Sequence, residues 1–268
     1  MILPDFRELL RSPLFEVTAF LVGLVVGSFA NVCIYRVPAG ESVVSPPSRC
    51  PNCGERIGAL DNVPVLSFLW LSGRCRHCRT LIPFRYPAVE LTNGLLWLGL
   101  AALGGPVPQT FVAMALATAL LILSLIDLDH HLLPDAITIP GIALGLLASL
   151  LPGSPVSPLQ AAAAAAGGYV AFLVVAKAYQ KARGVEGLGQ GDWKMTAMLG
   201  AFLGWQKMLL VVFLASLAGT LVGFGLIAFR GRDMKFALPL GTFLGAAAIV
   251  VLFVGDPLLD WYRGLFHV

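Results

Sequence analysis

Two aspartates in this sequence lie where a long apolar run meets a polar segment. Asp192 closes the stretch Gly187-Leu188-Gly189-Gln190-Gly191-Asp192 just before one run, and Asp127 lies in the last apolar turn of another. Carboxylates at the mouth of a bilayer are costly unless they are paired or wetted, so they are typical of functional sites. Two carboxylates that share a proton can activate a water molecule, as in aspartic proteases, without a covalent nucleophile. We therefore interpret Asp127 and Asp192 as a candidate pair.

The acidic residues and glycines around this pair admit other interpretations. Asp135 follows Pro134 and is typical of a helix cap or first helical turn, where negative charge is favoured. Asp129 lies two residues beyond Asp127 and would face solvent or lipid headgroups if the helix continues that far. The glycines before Asp192 indicate either a flexible turn or a bare backbone that an extended peptide can approach. No Ser/His/Asp, Cys/His or His-Glu-x-x-His arrangement in the sequence competes with the aspartates.

Two Cys-x-x-Cys pairs form a second group of residues with chemical potential. They are Cys50 with Cys53 and Cys75 with Cys78, and 21 residues separate the pairs. This spacing is typical of a tetrahedral zinc site, and four thiolates leave no open position for a substrate, so we expect structural zinc. Two disulfides are the alternative, and they suit an oxidising compartment.

The composition indicates which elements position these residues. Hydrophobic residues make up 57% of the chain and charged residues 12%, with a mean hydropathy of +0.83, whereas soluble domains average about 25% charged residues. Apolar runs long enough to span a bilayer as helices lie near 14–34, 86–104, 107–126, 134–151, 159–178, 206–229 and 237–254. A shorter apolar run lies at 193–204. The sequence thus predicts an all-α polytopic membrane protein, a bundle of about eight transmembrane helices with a small cytoplasmic zinc-binding loop domain.

The basic residues orient this bundle. If the N-terminus lies outside the cytoplasm, all but four of the 18 Lys and Arg residues are cytoplasmic, the exceptions being Arg7, Arg11, Lys207 and Arg263. This asymmetry follows the positive-inside rule, so the net charge of +3 requires no nucleic-acid partner. Both aspartates then face the cytoplasm, where they can meet. We expect a retained anchor helix at 1–35, a cytoplasmic tetracysteine loop at 36–85 and a membrane bundle at 86–268.

The two aspartate motifs, Leu125 to Asp135 and Glu186 to Lys194, together resemble those of a known family. The similarity continues through Gly27 to Pro38, the four cysteines, Arg85 to Glu90, Ala197 to Ala201 and Leu238 to Gly241. In this order, the motifs resemble bacterial prepilin peptidases, the type 4 prepilin leader peptidase/N-methyltransferases with a Gly-x-Gly-Asp site. The chain departs from the family pattern at Leu240-Gly241-Thr242, where the family usually reads Phe-Gly-Pro. We expect this difference to affect substrate fit or packing more than the chemistry.

The resemblance implies a bifunctional enzyme of the bacterial inner membrane. Such enzymes cleave the short basic leader of type 4 prepilins or type II secretion pseudopilins after a glycine, on the cytoplasmic face. They then methylate the new N-terminus with S-adenosylmethionine. The resemblance assigns catalysis to Asp127 and Asp192, and the matching motif positions predict supporting roles for Gly189, Gly191, Asp129, Asp135 and Lys194.

The methyl-transfer site is harder to locate in the sequence. No Gly-x-Gly-x-x-Gly cradle follows a strand, and the resemblance points to the cytoplasmic loop and its flanks. There, Glu90 is a candidate ligand for the amine or the cofactor, or else a partner of a loop arginine such as Arg85.

Two other classes of protein are alternatives. One is a presenilin-like or preflagellin-type intramembrane aspartic protease without methyltransferase activity. The other is an ion-coupled transporter that uses paired intramembrane aspartates. Against the transporter, the aspartates lie at one face of the bilayer and the sequence has no internal repeat.

Overall fold

The computed structural model describes residues 13–185, 187–230 and 238–265, and the regular secondary structure of this part of the chain is helical apart from two β-bridges. It has eight α-helices, a single 3-10 turn at Leu60–Asn62 and two isolated β-bridges. The helices are α1 (Pro13–Arg36), α2 (Leu66–Trp70), α3 (Arg85–Gly104), α4 (Pro108–His130), α5 (Asp135–Ala148), α6 (Pro158–Arg183), α7 (Gln190–Arg230) and α8 (Leu240–Gly264). The described residues do not include residues 1–12 of the predicted anchor, with Arg7 and Arg11, or residue 237 of the last apolar run.

Five of the described helices are long and apolar enough to cross a membrane, namely α1, α4, α6, α7 and α8. Helix α5 is a shorter apolar helix of 14 residues. Because a helix satisfies its own backbone hydrogen bonds, it is the form in which an apolar run can enter a bilayer. The prediction of an all-helical membrane protein is confirmed at this level.

Helix α7 is interrupted at Gly204, whose φ of 74° and ψ of 174° are not helical. A residue with a Cβ is strained at this positive φ, so glycine suits the break. The interruption falls where the sequence divides into a short apolar run at 193–204 and a longer one at 206–229. The first part of α7 therefore carries Asp192 on a short helix.

The chain divides into two compact units, Met1–Thr118 and Ala119–Val268, with the boundary inside α4. In the first unit, α1 packs closely on α3 because small residues line the contact. A Cβ on Gly27 would lie 2.8 Å from the Cα atom of Glu90. The Asn93 side chain also donates a 2.7 Å hydrogen bond to the carbonyl of Gly23. These contacts hold the start of α3 against the end of α1. The predicted division at residues 35 and 85 stays a prediction.

In the second unit, α5, α6 and α8 each pack against α7. A Cβ on Gly200 of α7 would lie 2.5 Å from the carbonyl oxygen of Ala164 in α6. Ala161, Ala164 and Gly168 are buried along α6, where small side chains let the two helix backbones approach closely. Helix α7 is thus held on several sides, and its N-terminal turn is fixed relative to α5 and α8.

Candidate functional sites

Asp127 lies in the last turn of α4 and is only 5% exposed. Its Oδ2 atom accepts a hydrogen bond of 2.7 Å from the backbone amide of Thr242. The Thr242 hydroxyl lies 3.2 Å from the same oxygen and 3.0 Å from the carbonyl of Ser124. Thr242 belongs to the first turn of α8, where amides have no partner within the helix and favour negative charge. The carboxylate is therefore held by the N-terminus of α8.

Asp192 lies in the first turn of α7 and is 9% exposed. Its Oδ2 atom accepts a 3.0 Å hydrogen bond from the amide of Gly189, and its own amide donates to the Gly189 carbonyl at 3.2 Å. The two residues thus form a tight local turn at the helix start. Asp127 lies near enough to Asp192 for the two carboxyl groups to interact electrostatically, so the fold brings the two aspartates together although they are 65 positions apart in the sequence.

Leu133 packs against the glycine before Asp192, Gly191, and against Gly241, which contacts Asp127. It is 6% exposed, and a Cβ on Gly191 would lie 2.6 Å from its Cβ atom. A Cβ on Gly241 would lie 2.8 Å from its methyl carbons and 3.0 Å from Cγ of Asp127. Glycine is therefore required at both positions for this close approach. The glycine before Asp192 has a packing role that a flexible turn does not require.

The other acidic residues of the first motif occupy different environments. Helix α4 continues to His130, and Asp129 is exposed, as expected for the opposite helical face. Asp135 is the first residue of α5, and both of its carboxylate oxygens lie 2.7 Å from the Lys194 ammonium. This ion pair joins α5 to α7 two residues after Asp192. Asp135 is thus a first-turn acid, paired with a residue of the second motif.

Sequence reasoning did not identify Thr242 or Leu133 as site residues. Thr242 was expected to affect substrate fit or packing, but it donates directly to the Asp127 carboxylate. Its departure from the Phe-Gly-Pro pattern was the signal that could have found it, since proline has no amide hydrogen to donate. Leu133 gives no such signal, because an apolar residue before a proline is common in any membrane protein.

The four cysteines converge in the first unit. All four Sγ atoms lie within 4.8 Å of one another, and the Sγ atoms of Cys50 and Cys78 are 3.8 Å apart. A zinc ion with Zn–S distances of about 2.3 Å separates tetrahedral thiolates by about 3.8 Å, whereas a disulfide requires about 2.05 Å. The five cysteines, Cys33 included, are free thiols. The donor set fits a metal ion.

Each cysteine pair lies in a turn of the same form. The residue after each second cysteine, Gly54 or Arg79, has a left-handed φ, of 72° and 58° respectively. Antiparallel bridges close the two turns, Arg49 with Arg56 and Arg74 with Leu81. The repeated turn points both thiols of a pair toward the same centre.

Local hydrogen bonds favour the thiolate form of two cysteines in this cluster, Cys50 and Cys78. The amides of Cys53 and Asn52 lower the pKa of Cys50, and the Asn52 side chain, followed by the Thr80 amide, lowers the pKa of Cys78 to about 6. The Glu55 amide acts to lower the pKa of Cys53, but desolvation and the neighbouring thiols outweigh it and raise that pKa to about 11. Four thiolates this close repel one another without a cation, so a divalent ion would relieve the conflict.

Glu90 lies one turn into α3 and is 9% exposed. Its Oε2 atom accepts a 2.7 Å hydrogen bond from the amide of Val65 in the cysteine loop, and Ser28 of α1 is a further partner. Val65 has a φ of 60° and a ψ of −49°, and the amide of Leu66 donates to Pro64 across it at 2.6 Å. This γ-turn is rare and strained for a β-branched residue. Glu90 therefore holds a strained loop segment against the helices.

Comparison with known proteins gives consistent matches along the chain. Two family models match it, the Bacterial Peptidase A24 N-terminal domain over residues 21–103 and the Type IV leader peptidase family over residues 114–224. A curated prepilin leader peptidase/N-methyltransferase from Aeromonas hydrophila is 40% identical over 267 residues, which cover 91% of this chain and 92% of the relative. A relative of the same name from Burkholderia pseudomallei (strain 1026b) is 40% identical, over 89% of this chain and 85% of the relative. Another from Pseudomonas aeruginosa is 35% identical, over 97% of this chain and 98% of the relative. No solved structure matches the chain.

Proposed function

Since the chain belongs to the bacterial type IV prepilin leader peptidase/N-methyltransferase family, we propose that it cleaves prepilin leaders and methylates the new N-terminus. The substrates would be type 4 prepilins or type II secretion pseudopilins, cut after a glycine. The observation that carries the peptidase half is the meeting of two buried aspartates, Asp127 and Asp192, on separate helices of one unit.

In the proposed cleavage, one water molecule lies between the two carboxylates. One aspartate takes a proton from this water while the water oxygen attacks the carbonyl carbon of the scissile glycine. The other donates a proton to the amide nitrogen, the C–N bond breaks, and the new N-terminal amine leaves. Asp127 accepts two donors from Thr242, whereas Asp192 accepts the single amide of Gly189. Because more donors favour the anion, we assign Asp127 as the base and Asp192 as the acid.

The membrane arrangement supports access of such a substrate. We propose eight spans, which count α1, α3, α4, α5, α6, the two parts of α7 and α8, with the active site facing the cytoplasm of the inner membrane. The distribution of Lys and Arg supports this orientation. An apolar pilin helix lying in the bilayer beside the bundle would deliver its leader to the cytoplasmic mouth, where the backbone at Gly189 is open.

The tetracysteine cluster is proposed to bind structural zinc. The ion would be held by Cys50, Cys53, Cys75 and Cys78. It would link the two turns of a loop that is too short to form a large core of its own. The cytoplasmic location supports zinc over two disulfides. One equivalent of zinc per chain by metal analysis, lost in Cys75→Ser, is the expected result.

The methyl-transfer half is proposed to use S-adenosylmethionine and residues of the first unit. Glu90 is the candidate acid there, because it is buried at the junction of α1, α3 and the cysteine loop. The presenilin-like and preflagellin-type alternatives do not require this half. An ion-coupled transporter requires neither half.

One experiment separates these possibilities. The purified protein is incubated with a prepilin peptide that carries a basic leader and a Gly-Phe junction, with and without S-adenosylmethionine, and the products are weighed by mass spectrometry. Cleavage in both samples, with one added methyl group only when S-adenosylmethionine is present, is the expected result. Cleavage without methylation indicates a peptidase of the presenilin or preflagellin type, and an intact peptide contradicts the proposal.

A further inference from the structure

A pocket of about 420 Å³ opens in the first unit, beside the cysteine loop. Its volume lies in the range of roughly 300–1,000 Å³ that is usual for small-molecule sites. The end of α1, the cysteine loop and the first turns of α3 all contribute to its lining. The aspartate pair belongs to the other unit.

The lining of this pocket combines three kinds of group. Tyr35, Phe68 and Tyr86 contribute aromatic rings, and Glu90 contributes a carboxylate that is only 9% exposed. Arg49 and Arg56 are among the basic residues that line it. Aromatic rings stack on flat bases and attract cations, while guanidinium groups bind carboxylates. A ligand with a flat ring, a cationic centre and a carboxylate matches this set.

We propose that this pocket binds S-adenosylmethionine, with its adenine among the aromatic rings, its carboxylate toward the arginines and its sulfonium toward Glu90. The inference rests on the proposed methyltransferase activity and assigns that activity a binding site. In the transfer, the lone pair of the free N-terminal amine attacks the methyl carbon and the C–S bond breaks. The sulfonium becomes the neutral thioether of S-adenosylhomocysteine, and the amine proton passes to water.

A substitution that fills the pocket tests this assignment. Val32 of α1 lines the pocket, whereas Val25 of the same helix is 59% exposed and does not line it. Val32→Trp should weaken binding of labelled S-adenosylmethionine by the full-length protein at least about tenfold, because the added ring occupies the cavity. Val25→Trp makes the same change on the outside of the helix and should bind as the native protein does. Equal binding by the two variants would overturn the assignment.

A measurement on the native protein covers the case in which Val32→Trp does not fold. Hydrogen exchange is compared with and without S-adenosylhomocysteine. Protection is expected in residues 28–36 and 46–57, which contribute to the pocket lining, and not in α8. Protection elsewhere, or only upon addition of a prepilin peptide, contradicts the inference.

The outcomes distinguish this inference from the proposed function. If the native protein methylates a cleaved peptide but the pocket segments are not protected, the activity stands and the assigned site is wrong. If the native protein neither binds the donor nor methylates while it still cleaves, the methyltransferase half of the proposed function fails as well.

Discussion

The amide of Thr242 donates a 2.7 Å hydrogen bond to Oδ2 of Asp127, across 115 residues of sequence. The Thr242 hydroxyl contacts the same oxygen and the carbonyl of Ser124, one turn earlier in α4. One residue thus ties the start of α8 to both the carboxylate and the backbone that carries it. A proline at this position, as in the usual family pattern, has no amide hydrogen, so the orientation of Asp127 in this chain depends on a residue that differs from that pattern.

Thr242→Val removes the hydroxyl but keeps the amide and the shape of the side chain. A hydrogen bond to a charged group contributes about 1.5–3 kcal/mol. Because the hydroxyl is shared between two acceptors, we expect the low end, a loss of about tenfold in kcat for leader cleavage with little change in KM. Thr242→Ser keeps both donors and should restore kcat. Equal rates for the Val and Ser variants would show that the hydroxyl has no positioning role.

Asp127→Asn and Asp192→Asn should each abolish detectable leader cleavage while the protein still inserts in the membrane. Asparagine is close in size but neither takes nor donates the required proton, and loss of one such group costs at least about a hundredfold. Asp129→Asn is the matched control, since Asp129 is on the same helix and exposed; its rate should fall only slightly. Cleavage is measured on a prepilin in proteoliposomes. A single variant of the pair with near-native cleavage is incompatible with the dyad.

Gly191→Ala and Gly189→Ala should change different kinetic parameters. A Cβ on Gly191 would lie 2.6 Å from Cβ of Leu133, which is buried, so Asp192 must shift. Displacement of a catalytic group by an ångström costs about a hundredfold, and we expect this in kcat. A Cβ on Gly189 would meet only Oδ2 of Asp192, at an ordinary 3.5 Å. Its effect should be confined to KM, where a peptide would approach. Steady-state kinetics on both variants decide, and a normal kcat for Gly191→Ala would contradict the packing argument.

Glu90 has two separable properties, its charge and its role as acceptor for the Val65 amide. Glu90→Gln keeps an acceptor oxygen, so we expect normal thermal stability but at least about tenfold slower methyl transfer. Glu90→Leu loses both, and the unpaired amide of Val65 should cost about 1–3 kcal/mol and lower the melting temperature. Methylation from labelled S-adenosylmethionine is measured with leader cleavage as the folding control. Unchanged methylation in Glu90→Gln would show that Glu90 serves only to hold the cysteine loop through the Val65 amide.

The sequence predicted the helices and the candidate aspartates but not the groups that orient them. Apolar runs identify the helices because a bilayer leaves the backbone few other ways to satisfy its hydrogen bonds. Helical geometry also separates Asp127 from Asp129, since residues two apart face different directions. The departure from the family pattern at Thr242 is visible in the sequence, but its contact with Asp127 depends on how α8 packs against α4. The same holds for Glu90, whose partner Val65 lies in a strained turn with no sequence signature.

The ion pair of Asp61 with Arg76 provides a prediction about pH. Arg76 lies between two cysteines of the cluster, and its Nε atom is 2.9 Å and 2.8 Å from the two oxygens of Asp61. This hydrogen bond holds the pKa of Asp61 below its usual range. The stabilisation is therefore fully present above the unfolded value of about 3.9 and is lost only as pH falls through the lower folded value.

Asp61→Asn should accordingly accelerate loss of the proposed zinc ion to a chelator, and by the same factor at pH 8 and pH 5.5, because the native pair is fully formed across this window. Glu55→Gln, which neutralises an exposed acid of the same loop, is the control for net charge and should release zinc at the native rate. Protonation of the thiols accelerates release in all three proteins, so the ratio of variant to native rates is the quantity to compare. A ratio that falls toward one between pH 8 and pH 5.5, or that matches the Glu55→Gln ratio, would show that the Asp61 pair does not hold the loop together.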